Sequence, residues 1–119
     1  MPLSRNTKAK KLSAYIGEAD RYNDKPLYEA LLESARTAGC AGATVLRGMS
    51  GFGATSRKHA RHGIRMSADR PVVVEVIDVP DRIIALAEVY SAMIGDGLVT
   101  VEDVKVLLYR GGMTGGPKE

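Results

Sequence analysis

The stretch Pro71–Val79, PVVVEVIDV, constrains the fold more than any other part of the chain. It is nearly all Val and Ile, broken in its middle by Glu75, and it reads as the strongest strand in the sequence. A near-continuous β-branched run is the pattern of a strand covered on both faces, which predicts a central place in a sheet. Lys11–Ile16 alternates instead, with Leu12, Ala14 and Ile16 on one face and Ser13 and Tyr15 on the other. Ala43–Gly48 and Val99–Tyr109 read as two further strands, the last with a bend or bulge at Glu102 and Asp103.

Two helices fit between these strands. Pro26 opens the first, with Asp24 or Lys25 near its cap. Leu27, Leu31, Ala35 and Ala38 recur at helical spacing, widened by Ala30 and Ser34, and Gly39 sits where a helix end favours positive φ. Pro80 begins the second, with Asp78 as its cap. Ile83, Leu86, Ala87, Tyr90, Met93 and Ile94 form its apolar face, and Gly95-Asp96-Gly97 ends it. The order is strand, helix, strand, strand, helix, strand. That predicts an α+β, ferredoxin-like βαββαβ sandwich: a four-stranded antiparallel sheet, first and third strands central, both helices on one face. Residues 1–9 read as a loose arm, 10–109 as one domain and 110–119 as a Gly-rich tail. The second sheet face would carry Tyr15, Val73, Ile77 and Leu107 or their alternates, with no predicted element left to cover them. An uncovered apolar face marks an interface, so a homo-oligomer is expected.

The 119 residues suit one domain. With 45% hydrophobic residues, 5% aromatic and no Trp, the core must be aliphatic. Cys40 is the only cysteine, so no internal disulfide forms, and a small unstapled chain is expected in a reducing cytoplasm. No run is long and apolar enough to span a bilayer, and the polar N-terminus does not resemble a signal peptide. The net charge of +3 is unevenly spread. Ser34–Ala68 holds no acidic residue but contains Arg36, Arg47, Arg57, Lys58, Arg61 and Arg65. Between Glu75 and Asp103 the only basic residue is Arg82. Such polarity suits a localised anion surface better than a general nucleic-acid coat.

Side chains for catalysis are few. Cys40 lacks an identifiable base beside it and reads as inert packing. No serine lies in a nucleophile elbow. His59 and His62 lie among Arg57, Lys58 and Arg61, which repel a cation, so no metal site is expected. The glycines are more informative. Gly51-Phe52-Gly53 ends a strand before the basic stretch, and successive N–H groups free of Cβ can form an anion nest. Gly95-Asp96-Gly97 precedes the last strand. Alone, the first is equally well a tight turn, and the second reads better as a helix stop and turn.

Taken together, Thr44–Arg47 running to Gly51-Phe52-Gly53, then Ile94–Gly97 and Val101–Val104, resemble the PII signalling superfamily. Tyr15–Glu18, Lys25–Tyr28, Ala41–Gly48 and Gly97–Thr100 are similar to its PII-like branch, catalogued as a domain of unknown function. The resemblance covers roughly Lys10 to Tyr109. It implies a homotrimer that senses a small molecule in inter-subunit clefts and signals to a transporter, channel or enzyme through the loop after the second strand. Here that loop would run from about Gly53 to Asp69, with Arg57, Lys58, Arg61 and Arg65 facing the partner. Ligand contacts would fall on Gly51, Phe52, Gly53, Gly95, Asp96, Gly97, Arg47 and Lys105.

The departures from the family pattern bear on the ligand. Thr55 stands where ATP-binding relatives have glutamine, Leu98 where they have lysine, and Val106 and Leu108 where two arginines contact phosphate. The cationic side chains that would hold a triphosphate are therefore missing, and charge-assisted contacts are the strong ones. A different nucleotide, a small anion or no ligand all remain open, with Lys105, Arg47 or Arg110 supplying charge. The loop also lacks the modifiable tyrosine of the best-known PII proteins. The expectation is a regulator and not an enzyme. Two alternatives share the topology. An acylphosphatase-like hydrolase would need an asparagine near the loop, where neither Asn6 nor Asn23 lies. An RNA-binding module would need stacking aromatics on the central strands.

Overall fold

The computed structural model describes residues 6–53 and 70–111. The basic residues Arg57, Lys58, Arg61 and Arg65, the two histidines, Thr55, and the ends of the predicted arm and tail lie outside the described residues. The elements run β1 (Thr7–Gly17), β2 (Arg21–Tyr22), β3 (Lys25–Pro26), α1 (Leu27–Thr37), β4 (Ala43–Arg47), β5 (Pro71–Asp78), α2 (Pro80–Met93) and β6 (Leu98–Val106). β1 thus begins at Thr7, inside the stretch read as an arm.

The main sheet has the order β4-β5-β1-β6, antiparallel throughout, with β1 and β5 in the centre as expected. Period-two alternation sorts the side chains. Leu12, Ala14 and Ile16 of β1 and Val72, Val74 and Val76 of β5 are buried on one face. They meet Leu27, Leu31 and Ala35 of α1 and Ile83, Leu86 and Tyr90 of α2 in a single core. Tyr90, the one aromatic ring fully inside this core, donates its hydroxyl to the Leu31 carbonyl at 2.7 Å, locking the two helices together. Burial, and secondarily Cys40, pushes the Tyr90 phenol well above the usual tyrosine range.

Among the described residues no helix or strand covers the opposite face, so within them β5 is covered on one face only. Its residues fall into rows read directly from the register. Leu46, Val73, Tyr15 and Leu98 form one apolar row across all four strands. The adjacent row, Thr44, Glu75, Ser13 and Thr100, is polar, and Ile77, Lys11 and Glu102 make a mixed third. Lys11 Nζ lies 3.8 Å from Glu75 Oε2. The expected apolar face is therefore an apolar end with a polar middle. Leu107 is not part of it, because β6 stops at Val106; its register with β1 is unbroken, with no bulge at Glu102 or Asp103. Beyond β6, Leu108 and Tyr109 line a pocket with Ala41–Thr44, Glu75 and Ile77 on this same face.

Both helix starts differ from expectation. Pro26 is the N-cap of α1 and makes no side-chain cap bond. It closes a two-residue hairpin, β2 with β3, whose turn residues Asn23 and Asp24 have φ of 48° and 68°. The Leu27 N–H instead donates to the Asp20 carbonyl at 2.8 Å. At the other end, Cys40 N–H donates to Ala35 O and Gly39 N–H to Arg36 O, with Gly39 at φ 85°, the Schellman closure foreseen for that glycine. Val79, and not Asp78, caps α2. The Asp78 carboxylate is buried. It accepts from the N–H groups of Ala41 (2.8 Å) and Val79 (2.7 Å) and from Arg82 Nη1 (3.3 Å), tying the end of β5 to the approach to β4.

Tyr90→Phe is expected to lower stability by about 1 kcal/mol, the net worth of one hydrogen bond. Tyr90→Ala should cost about 3–5 kcal/mol through the cavity it leaves. Denaturant titration measures both. Because the folded-state phenol titrates above its unfolded value, its contribution is complete below about pH 10 and lost as pH rises beyond that. Alkaline destabilisation should accordingly be weaker in Tyr90→Phe than in the native chain.

Candidate functional site

One end of the sheet gathers the C-termini of β1 and β4 and the N-termini of β5 and β6. Gly17 pairs with Pro71, Arg47 with Val72, and Leu98 with Tyr15. Arg47–Gly51 and Gly97 therefore come to the same end although some fifty residues separate them in sequence. After β4 the chain stays against β5: Gly48 N–H donates to the Pro71 carbonyl at 2.7 Å, and Gly51 follows at φ 154°. Met49 and Phe52 on this loop are 87% and 63% exposed, so neither serves as core.

The two glycines of Gly95-Asp96-Gly97 play different parts, and neither is held by a positive φ. A Cβ on Gly97 would lie 2.8 Å from the Tyr15 carbonyl oxygen and 2.9 Å from Ile94 Cγ2, whereas a Cβ on Gly95 meets nothing within 4 Å. Gly97 thus allows β6 to start flush against β1, and Gly95 is free of that constraint.

Arg47 is a cation lining a pocket at this end. Its Nη2 lies 2.7 Å from Oε2 of Glu18, the residue that follows β1. Glu18 is itself held by its backbone, whose N–H donates to the Arg70 carbonyl at 2.8 Å. The preceding Gly17 N–H donates to the Asp20 carboxylate at 2.9 Å. Glu18 and Arg47 form the charged rim of a 250 Å³ pocket whose remaining lining is Tyr28, Val45 and Val72. Such a pocket, apolar within and charged at its mouth, suits a compact molecule carrying an anionic group.

Of the residues singled out from sequence, Arg47, Gly51, Phe52, Gly53, Gly95, Asp96 and Gly97 belong to this end or the loops leaving it. Lys105 does not. It lies eight residues along β6 from Gly97, about 26 Å at the rise of a strand, in register with Lys8. Within one chain the two cannot meet on a single ligand. Glu18, Tyr28 and the constraint at Gly48, whose Cβ would fall 2.7 Å from Pro71 Cγ, escaped the sequence reading. The available signal was that Glu18, Tyr28 and Arg47 each sit in one of the blocks quoted for the PII-like resemblance.

Other chemistry is sparse. Burial first, then the charge of Asp78, raises the Cys40 thiol above its ordinary value, with Arg82 opposing. Among the described residues no three His, Cys, Asp or Glu side chains cluster as metal ligands. No helix among them is long and apolar enough to cross a membrane.

Two outcomes follow from this geometry. Gly97→Ala should destabilise the fold by about 1–3 kcal/mol, as overpacking against backbone does, while Gly95→Ala stays near neutral; paired thermal melts compare them. Cys40 should alkylate with iodoacetamide more slowly at pH 7 than an unhindered thiol, and accelerate as pH rises past the ordinary thiol range, because the thiolate is the reactive form.

Comparison with known proteins agrees with this fold. A UPF0166 protein of Aquifex aeolicus (strain VF5) is 40% identical over 105 residues, covering 87% of this chain and 97% of its own. A UPF0166 protein of Methanocaldococcus jannaschii is 32% identical over 106 residues, covering 87% and 94%. Among solved structures, CPII from Thiomonas intermedia K12, a nitrogen regulatory PII-like protein bound to ADP, AMP and bicarbonate, superposes with a TM-score of 0.61 at 20% identity. That match covers 86% of this chain and 98% of CPII, and at this identity it establishes the shared fold. The family model for DUF190, described as an uncharacterized ACR, matches residues 9–106, and the chain belongs to that family.

Proposed function

We propose that this chain is a PII-like regulatory protein, not an enzyme, which binds a nucleotide or other small phosphorylated anion and reports its occupancy to a partner protein. The observation that carries this reading is Arg47, a cation lining a pocket at the sheet end that also bears Gly48 and Gly51 and, on the opposite edge, Gly97. The shared fold with CPII, which holds ADP, AMP and bicarbonate, supports the ligand class. The partner would be a cytoplasmic enzyme, or a transporter or channel reached from the cytoplasm. The basic residues Arg57, Lys58, Arg61 and Arg65 after β4 would provide the contact.

The functional unit in this reading is a homotrimer. The row Leu46, Val73, Tyr15 and Leu98 offers apolar surface that a second copy would cover; Tyr15, Leu46 and Leu98 are 44%, 48% and 55% exposed in the single chain. Assembly also provides a place for Lys105, which in a neighbouring subunit could approach the glycine end that its own chain denies it. The central strands β1 and β5 carry one aromatic residue, Tyr15, a poor platform for stacking successive RNA bases.

Titration calorimetry of the full chain with ADP, AMP, ATP and bicarbonate tests the ligand, and light scattering tests the assembly. Binding of at least one nucleotide and a trimeric mass are expected. Val73→Lys should break the trimer, because an unpaired charge buried in an interface is costly. A folded monomer at micromolar concentration, or silence across the whole panel, would sink the corresponding half of the reading.

A further inference from the structure

Resting on the reading that the glycine end takes an anion, we propose that Glu18 is a built-in competitor for Arg47, which restricts the site to ligands bearing a phosphate and rejects monocarboxylates. The guanidinium is already engaged by a carboxylate at 2.7 Å, and the pair stands at the mouth of the pocket lined by Tyr28, Val45 and Val72. Any anion reaching Arg47 from this pocket therefore meets a position that the chain itself has filled.

The two partners are held unequally. Glu18 is anchored by its N–H bond to Arg70 O, and the Gly17 N–H bond to Asp20 fixes the residue before it. Its side chain is 26% exposed, whereas that of Arg47 is 55% exposed, and a guanidinium has further N–H donors. The carboxylate thus acts at the high local concentration of an intramolecular group, and a free ligand must overcome that advantage. An acetate or bicarbonate ion brings the same single charge as Glu18 without the tether and gains little by exchange. A terminal phosphate brings greater charge and three oxygens, two of which match the guanidinium fork. Exchange of carboxylate for phosphate is the one substitution that improves the contact. With leucine at position 98 where ATP-binding relatives have lysine, Arg47 is the cation among the residues lining this pocket, and Glu18 sets its threshold.

Calorimetry on the full-length chain with ADP and with acetate, each against native protein, Glu18→Gln, Arg47→Gln and the double variant, tests the proposal. Glu18→Gln keeps the shape and removes the charge. It is expected to tighten ADP about two- to fivefold, as release of one partly exposed ion pair allows, and to bring acetate into measurable range. The gain should vanish in the double variant, since it acts through Arg47. Glu33→Gln, which removes an equal charge from the Lys25 pair elsewhere, should leave ADP affinity unchanged. If Glu18→Gln melts near the assay temperature, Glu18→Asp, with its shorter reach, should give a smaller gain of the same sign. Native protein that binds ADP while Glu18→Gln binds it no more tightly would overturn the competitor role and leave the nucleotide reading standing. So would a gain that persists without Arg47 or appears equally in Glu33→Gln. Absence of ADP binding in every variant would overturn both.

Discussion

The register in which β1 meets β5 governs the rest of the structure. Leu12 opposite Val76 and Ala14 opposite Val74 place one parity of both central strands beneath the helices, and Tyr15 opposite Val73 places the other on the open sheet. A slip of one residue would exchange the two faces, sending Lys11 and Glu75 into the core. The same register brings Gly17 to Pro71 and, through β6, Leu98 to Tyr15, so the glycine end is assembled by the ladder that builds the core. The hydrogen bond from Tyr90 to Leu31 then holds the helices over that ladder. Fold and site are in this sense one construction.

Much of this was legible because it depends on periodicity. The apolar run of β5, the alternation of β1 and the helical stripes at Leu27-Leu31-Ala35 and Ile83-Leu86-Tyr90 each state their element and buried face. The order of elements then leaves one reasonable sheet topology, and the glycine of the α1 terminus follows from local backbone chemistry. That Gly51 and Gly97 stand at one end of the sheet, on its two opposite edges, has no signal in either stretch, since nothing in one points to the other.

What stayed hidden depends on tertiary contact between distant side chains. Asp78 resembles a helix cap in sequence, but its buried carboxylate serves Ala41, 37 residues away. Glu18 looks like a solvated turn residue until β4 brings Arg47 to it. The hairpin of β2 and β3 is two residues per strand, too short for any periodic signal, and its turn needs positive φ at Asn23 and Asp24 that side-chain type only permits. The polar row Thr44-Glu75-Ser13-Thr100 was invisible for a different reason. Each strand contributes one unremarkable residue, and only the register makes them a band.

The topology also sets a timetable for synthesis. β1 leaves the ribosome well before β5 and β6, the strands with which it pairs. At about 5–20 residues per second, the strand waits on the order of several seconds with its apolar side uncovered and both edges unpaired. Leu12, Ala14 and Ile16 are then open to wrong partners, including another nascent copy. The lysines at 8, 10 and 11 lie directly beside that segment. Positive charge flanking an apolar strand discourages strand-to-strand association between chains. In the finished protein Lys10 and Lys11 exchange that duty for ion pairs with Asp103 and Glu75, the very strands whose arrival ends the wait.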